Sequence, residues 1–248
     1  MAPHTPHTLG PPRQSRDAPR VVLVHGAANS AGVWRYWRRA LGALGATTVA
    51  VDLRGHGRGQ PADLATTSMH DYAEDVRRVA MTQPEPPILL GWSMGGLVAM
   101  MVASEERVAA CVGLAPSTPM RMRDERVPLR NGVFGPEAYG IVDRDPNNQP
   151  SMPDLDEEER RFALASLGPE SLRARDERQA GIVIERLPCP LLIVTGTLDT
   201  QWPRARYADM PLRATFLEAE ASHWGLVLRR DCVERTAPLV LDWVLSGR

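Results

Sequence analysis

The sequence predicts an α/β fold: a mostly parallel six-stranded sheet with helices on both faces and a helical insertion. Three observations predict it. Short continuous apolar runs alternate with segments of helical periodicity, as strands buried on both faces of a parallel sheet require. The chain of 248 residues is the size of one large domain or a core domain with an insertion. The runs end in Gly-rich or polar residues, where sites of open parallel sheets lie.

Residues 1–19 hold five prolines and two histidines, His4 and His7, and read as a disordered Pro-rich tail. Val21–Val24 is a first buried strand, ending at His25-Gly26. Ala31–Leu44 is a helix, with Val33, Trp34, Trp37, Leu41 and Leu44 on or near one face. Thr47–Val51 is a second strand, and Ser68 caps a helix over Met69–Met81. A third strand, Ile88–Leu90, leads into a small-residue helix over Gly95–Ser104, and Val108–Leu114 is a fourth strand.

The rhythm breaks at residues 117–186, which are charged and Pro-rich and read as a lid or cap insertion, with helices around Glu157–Leu167 and Leu172–Arg186. It resumes with strands at Leu191–Thr195 and Ala214–Leu217 and a closing helix over Cys232–Leu245. The core is thus expected in two pieces, 20–116 and 187–248.

Composition excludes several classes. Lys+Arg is 29 against 30 Asp+Glu, a net charge of −1, without the basic excess of a nucleic-acid binder. The 29 are all arginine; the chain has no lysine. Cys111, Cys189 and Cys232 form neither a disulfide framework nor a CxxC pair, and read as reduced thiols of a cytoplasmic protein. No apolar run is long enough for a membrane span, and the N-terminus has no signal-peptide core.

The sharpest chemical signature is Gly91-Trp92-Ser93-Met94-Gly95, a G-x-S-x-G pattern between a strand and a helix. A tight turn there lifts the Ser93 hydroxyl above the sheet at a helix N-terminus, which favours developing negative charge. Serine needs a general base. His223, after the last strand, is free to face Ser93, whereas His25 and His56 lie in Gly-flanked loops. The base needs an acid to fix its tautomer, and Asp199 lies just past the fifth strand. The expected oxyanion-hole donors are the backbone N–H groups of Met94 and Ala27. His25 reads as a support of that loop. Asp52 and His56 read as braces of the second strand's exit loop, with Asp52 an alternative acid. Trp92, Trp202 and Trp224 adjoin these residues and are candidate walls of an apolar substrate pocket.

HGA at 25–27, DLRGHGRG at 52–59, GWSMGG at 91–96, PLLIVTGTLD at 190–199 and SHWG at 222–225 occur in one order. Over Arg20–Arg248 the chain thereby resembles the α/β-hydrolase superfamily, in a form lacking the first two strands of the full fold. Ser30-Ala31-Gly32-Val33-Trp34 is similar to plant methyl esterases and hydroxynitrile lyases, and GWSMGGLVA to a bacterial esterase of carrier-bound methyl esters. The resemblance implies a serine hydrolase of a small apolar ester or thioester, needing neither metal nor organic cofactor. It also implies an acyl-carrier protein as a candidate partner. Arg121, Arg123, Arg126 and Arg130 read as a solvated charged face; the carrier resemblance adds an anion site there as the sharper alternative. A lyase, cyclase or perhydrolase on the same triad, or a receptor with negligible turnover, stays open.

Overall fold

Six parallel strands form the sheet in the order β2-β1-β3-β4-β7-β8 in a computed structural model that describes residues 18–247. The tail expected at 1–19, with His4 and His7, lies outside the described residues apart from its last two. The strands are β1 (Arg20–Val24), β2 (Thr47–Val51), β3 (Ile88–Trp92), β4 (Ala110–Leu114), β7 (Leu191–Gly196) and β8 (Thr215–Ala219). Two short strands, β5 (Val133–Phe134) and β6 (Glu170–Ser171), pair antiparallel apart from it.

Alternation along each central strand divides the core into two layers. Val21, Leu23, Leu90 and Val112 face one side, where α1 (Arg35–Ala43), α6 (Gly225–Leu228) and α7 (Arg230–Leu245) pack. Val22, Val24, Leu89 and Cys111 face the other, covered by α2 (Met69–Met81) and α3 (Met94–Glu105). Burial on both faces is why these strands read as unbroken apolar runs. No helix of the described residues is long and apolar enough to cross a membrane.

Helix α2 begins as its sequence predicts. Ser68 Oγ accepts from Asp71 N, and the Asp71 carboxylate accepts in return from Ser68 N. Other elements differ from expectation for local reasons. The helix expected over Ala31–Leu44 opens as a 3-10 turn, Ala31–Trp34, and only then becomes α1, because Asp52 Oδ1 accepts from Ala31 N at 2.7 Å and fixes the entry. Leu44 is its C-cap and is 42% exposed, so it does not join the apolar face.

Residues 117–186 carry a 3-10 turn at Pro136–Tyr139, helix α4 (Glu157–Ala165) and helix α5 (Leu172–Ala180). The helix expected to reach Arg186 stops at Gly181, whose φ of +106° suits glycine alone and which packs against Met120. The pairing of β5 with β6, across 36 or more residues, left no signal in the sequence.

The segment is held to the core by polar ties. Gly168 N donates to Ala28 O at 3.0 Å, Ser171 Oγ to Thr67 O at 2.6 Å, and Arg230 N to Glu159 Oε1 at 2.8 Å. Asp154 Oδ2 accepts from Ser222 N at 2.8 Å.

Helix α3 crosses the sheet closely. A Cβ on Gly95 would lie 2.2 Å from Val24 O and 2.3 Å from His25 O, and both are backbone atoms that cannot swing away. Gly42, in α1, has nothing within 4 Å of its Cβ position. Urea unfolding should therefore separate the two alanine variants in sign. Gly95→Ala should lose about 3 kcal/mol or more. Gly42→Ala should gain up to about 1 kcal/mol, since only helix propensity changes. Equal effects would show that the crossing at Gly95 is not tight.

Candidate active site

The strand order dictates which loops meet. From β1 the chain steps outward to β2, then returns across β1 to β3, so the β1/β3 boundary is a topological switch point. The loop after β1 therefore lies beside the turn after β3. On the other side, β7 and β8 are neighbours, which brings the loops carrying Asp199 and His223 together.

Ser93 stands between β3 and α3 with φ +55° and ψ −121°, a backbone state that L side chains rarely adopt. The turn is locked from several sides. Ser93 N donates to Leu114 O at 3.0 Å, and Ser93 O accepts from Gly96 N and Ser117 N, both at 3.0 Å. Glycine is required at both ends of the pentapeptide, because a Cβ on Gly91 would sit 2.2 Å from Gly95 O. Among the described residues the other non-glycine positions with positive φ are Ala28 and Ala115, which follow β1 and β4. Backbone strain is thus collected at the carboxyl edge of the sheet, around Ser93.

His223 Nδ1 lies 2.7 Å from Asp199 Oδ2. The other carboxylate oxygen, Oδ1, accepts from Gln201 N at 2.8 Å and Trp202 N at 2.9 Å. Burial would raise the Asp199 pKa, but the His223 imidazole and these two N–H groups hold it below its ordinary 3.8. An ionised carboxylate only accepts, so Nδ1 carries the proton that faces Asp199. Trp92 Nε1 donates to His223 O at 3.1 Å, and the two rings lie 5.2 Å apart, bracing the histidine. Asp52, the alternative acid, is spent elsewhere: its oxygens accept from Ala31 N and Arg58 N.

Ser93 and His223 border one cavity of about 130 Å³. Ala27, Trp92, Trp202 and Trp224 border it too, so all three tryptophans singled out in the sequence reach it. Met94 opens α3 with its side chain fully buried. Among the described residues no protein group accepts from the N–H of Ala27 or Met94, whereas Ala28 N donates to Glu170 Oε2 at 2.9 Å. Residues 117–186 contribute Tyr139, Leu167 and Arg178 to the cavity wall.

Sequence reasoning missed the buried group behind the Ala27 loop. Glu170, from β6, is fully buried and holds Ala28 N, Tyr72 Oη at 2.6 Å and its neighbour Ser171 N at 2.7 Å. His56 Nε2 lies 3.5 Å away, a charge contact, while His56 Nδ1 donates to Arg54 O. Burial alone would raise the Glu170 pKa; His56, Tyr72 and the Ala28 N–H overcome it and hold the carboxyl at about 2. Burial likewise opposes a charge on His56, but Glu170 outweighs it and raises the imidazole pKa. His25 beside it is pushed down to about 4 by burial and by His56, so it is neutral and accepts from Leu53 N at 3.1 Å. Glu170 lies 142 residues from Ala28 in a charged segment without a motif, and no local pattern points to it.

Comparison with known proteins places these observations in a family. The sequence profile described as "Alpha/beta hydrolase family" matches residues 21–237. Two curated relatives, from Yersinia pseudotuberculosis serotypes IB and I, are 32% identical over 182 residues. Each carries the name pimeloyl-[acyl-carrier protein] methyl ester esterase; the match covers 72% of this chain and 64% of the relative's length. Among solved structures, polyneuridine aldehyde esterase matches with a TM-score of 0.70 at 18% identity, over 91% of this chain and 100% of its own. A methylesterase from Arabidopsis matches with a TM-score of 0.68 at 17% identity, over 91% and 100%. A thioesterase domain from the curacin biosynthetic pathway matches with a TM-score of 0.62 at 20% identity, over 94% and 93%. At these identities the structures show the fold.

The Glu170 cluster makes stability pH-dependent with a definite sign. A carboxylate held at about 2 contributes stability above its ordinary 4.5 and loses it as pH falls through about 2. His56, with a raised pKa, contributes fully below its ordinary 6.5 and loses that as pH rises through its folded value. In urea unfolding, Glu170→Gln should be less stable than wild type, most clearly between 4.5 and 6.5. The gap should narrow as pH falls below 4.5. A gap constant from pH 6 to pH 3 would show that Glu170 is not held as a carboxylate.

Proposed function

The chain belongs to the alpha/beta hydrolase family, and from that premise we propose that it is a serine hydrolase. Its substrate is a carboxylic ester or thioester with an apolar acyl or alcohol group, cleaved through an acyl-enzyme. The observation that carries the reading is the 2.7 Å contact between His223 and Asp199 beside a cavity that also holds Ser93 on a strained turn.

In this reading Ser93 Oγ attacks the acyl carbonyl carbon, and His223 Nε2 takes its proton. Asp199 keeps the proton on Nδ1 and stabilises the imidazolium as it forms. The N–H groups of Ala27 and Met94, left without acceptors among the described residues, receive the tetrahedral oxyanion. His223 then protonates the leaving alcohol or thiol. Water enters, loses a proton to His223 and releases the acid from Ser93. Every proton is moved by His223, so the sequence of steps closes without a metal or organic cofactor.

Trp92, Trp202 and Trp224 supply the apolar wall, and residues 117–186 act as a lid that limits water. Glu170 is a positioning residue: by holding Ala28 N–H it leaves the neighbouring Ala27 N–H to the oxyanion. The Yersinia relatives' name supports an ester, and an acyl-carrier protein as the partner that delivers it.

A fluorophosphonate should add once to the wild-type protein, read by intact mass, and not at all to Ser93→Ala. Ester turnover should fall by about 10⁴-fold in Asp199→Asn, where the tautomer is lost, and at least as far in His223→Gln. Folded wild type that takes no adduct and shows no Ser93-dependent turnover would sink the proposal. Conversion of a substrate without hydrolytic cleavage, with Ser93 required, would replace it by lyase or cyclase chemistry.

A further inference from the structure

The cavity beside Ser93 has a neighbour of about 470 Å³, and Tyr139, Arg178 and Trp202 wall both. The second cavity presents three arginines, Arg175, Arg178 and Arg206, and no carboxylate. These arginines differ from those that follow β4 at residues 123–130. Of the cluster the sequence suggested for an anion, Arg121, Arg123, Arg126 and Arg130, the last three are paired, with Glu125 at 3.6 Å, Asp124 at 2.8 Å and Asp176 at 2.7 Å, and Arg121 has no such partner among the described residues. Among the described residues no carboxylate lies within salt-bridge distance of Arg175, Arg178 or Arg206.

What holds the three instead is neutral. Arg175 stacks 5.0 Å from the Phe134 ring, and Arg206 stacks 4.6 Å from Trp202 while donating to Gln201 O at 2.8 Å. Arg178 Nη2 donates to Tyr139 Oη at 2.9 Å, which leaves the tyrosine proton free to donate onward. Two buried groups on this cavity's wall lack a hydrogen-bond partner among the described residues: Arg178 Nε and Ser117 Oγ. Ser117 is only 4% exposed, and its N–H is tied to Ser93 O, so it is fixed to the nucleophile's own turn. Buried polar groups are nearly always satisfied in the working state of a protein. Here the unsatisfied set is rich in donors and cationic, which is the complement of an oxyacid anion.

We infer that the substrate carries a carboxylate or phosphate at the end remote from its scissile ester, received by Arg178, Arg175, Ser117 and Tyr139 while the ester lies at Ser93. The inference rests on the serine hydrolase reading and adds the charge of the substrate to it. The guanidinium fork suits carboxylate and phosphate alike. Trp202, in the wall between the cavities, would flank the apolar chain that joins the two ends.

The test is kcat/KM for three p-nitrophenyl esters of one chain length: hexanoate, the adipate monoester, and 6-phosphooxyhexanoate, each with Ser93→Ala as blank. Wild type should prefer an anionic ester over hexanoate by about 10- to 100-fold, the range for a hydrogen-bonded charge. Which of the two anions leads identifies carboxylate or phosphate as the group received. In Arg178→Gln that ratio should collapse towards one, and in Arg175→Gln it should fall. Because the readout is a ratio within each variant, a general loss of activity cancels; if Arg178→Gln does not fold, Arg175→Gln decides. Wild type that hydrolyses hexanoate in a Ser93-dependent way without anion preference, or a preference unchanged in the folded variants, overturns the inference alone. Absence of Ser93-dependent turnover of all three esters overturns the hydrolase reading and this inference with it.

Discussion

Helix α3 passes so close to strand β1 that the carbonyls of Val24 and His25 occupy the space of a Cβ on Gly95. The rest of the site depends on this crossing. It sets the helix N-terminus over the switch point between β1 and β3, and it forces the turn at Ser93 into a left-handed backbone state. Hydrogen bonds from Gly96 and Ser117 to Ser93 O, and from Ser93 N to Leu114 O, tie the same turn to β4. A side chain on such a turn points away from the sheet, and its attitude is set by backbone that has no freedom to relax.

The second constraint acts from residues 117–186. Ala28 is gripped on both sides by that segment, its N–H by Glu170 and its C=O by Gly168 N. A fully buried carboxylate is costly unless paired and hydrogen-bonded, and Glu170 meets both conditions through His56, Tyr72, Ala28 and Ser171. The arrangement couples residues 117–186 to the loop beside Ser93, so displacement of β6 would withdraw the acceptor that holds Ala28.

The chain carries arginine and no lysine, and two groups of its arginines contrast. One is paired with carboxylates on the surface and in half-buried sites, as Arg54 is with Asp71 and Asp75. The other, around the larger cavity, is stabilised by aromatic faces and a tyrosine oxygen. Neutral partners hold a guanidinium in place without neutralising it, and so leave its charge available to a ligand.

Sequence by itself determined the strand–helix rhythm, the six sheet strands and the tight turn that carries Ser93. The reason is local: strands buried on both faces must be apolar throughout, and the turn at Ser93 admits only glycine at positions 91 and 95. Helix ends were legible where a cap is written in adjacent residues, as at Ser68 and Asp71, and misjudged where a distant contact decides, as at Ala31 and Gly181. Tertiary structure alone decided that β7 and β8 lie side by side, bringing His223 to Asp199. It alone brought Glu170 to Ala28 and Arg130 to Asp176, and left Arg178 without a carboxylate among the described residues. The tie of Glu170 to Ala28 spans 142 residues and that of Arg130 to Asp176 spans 46, and neither propensity nor periodicity reaches that far.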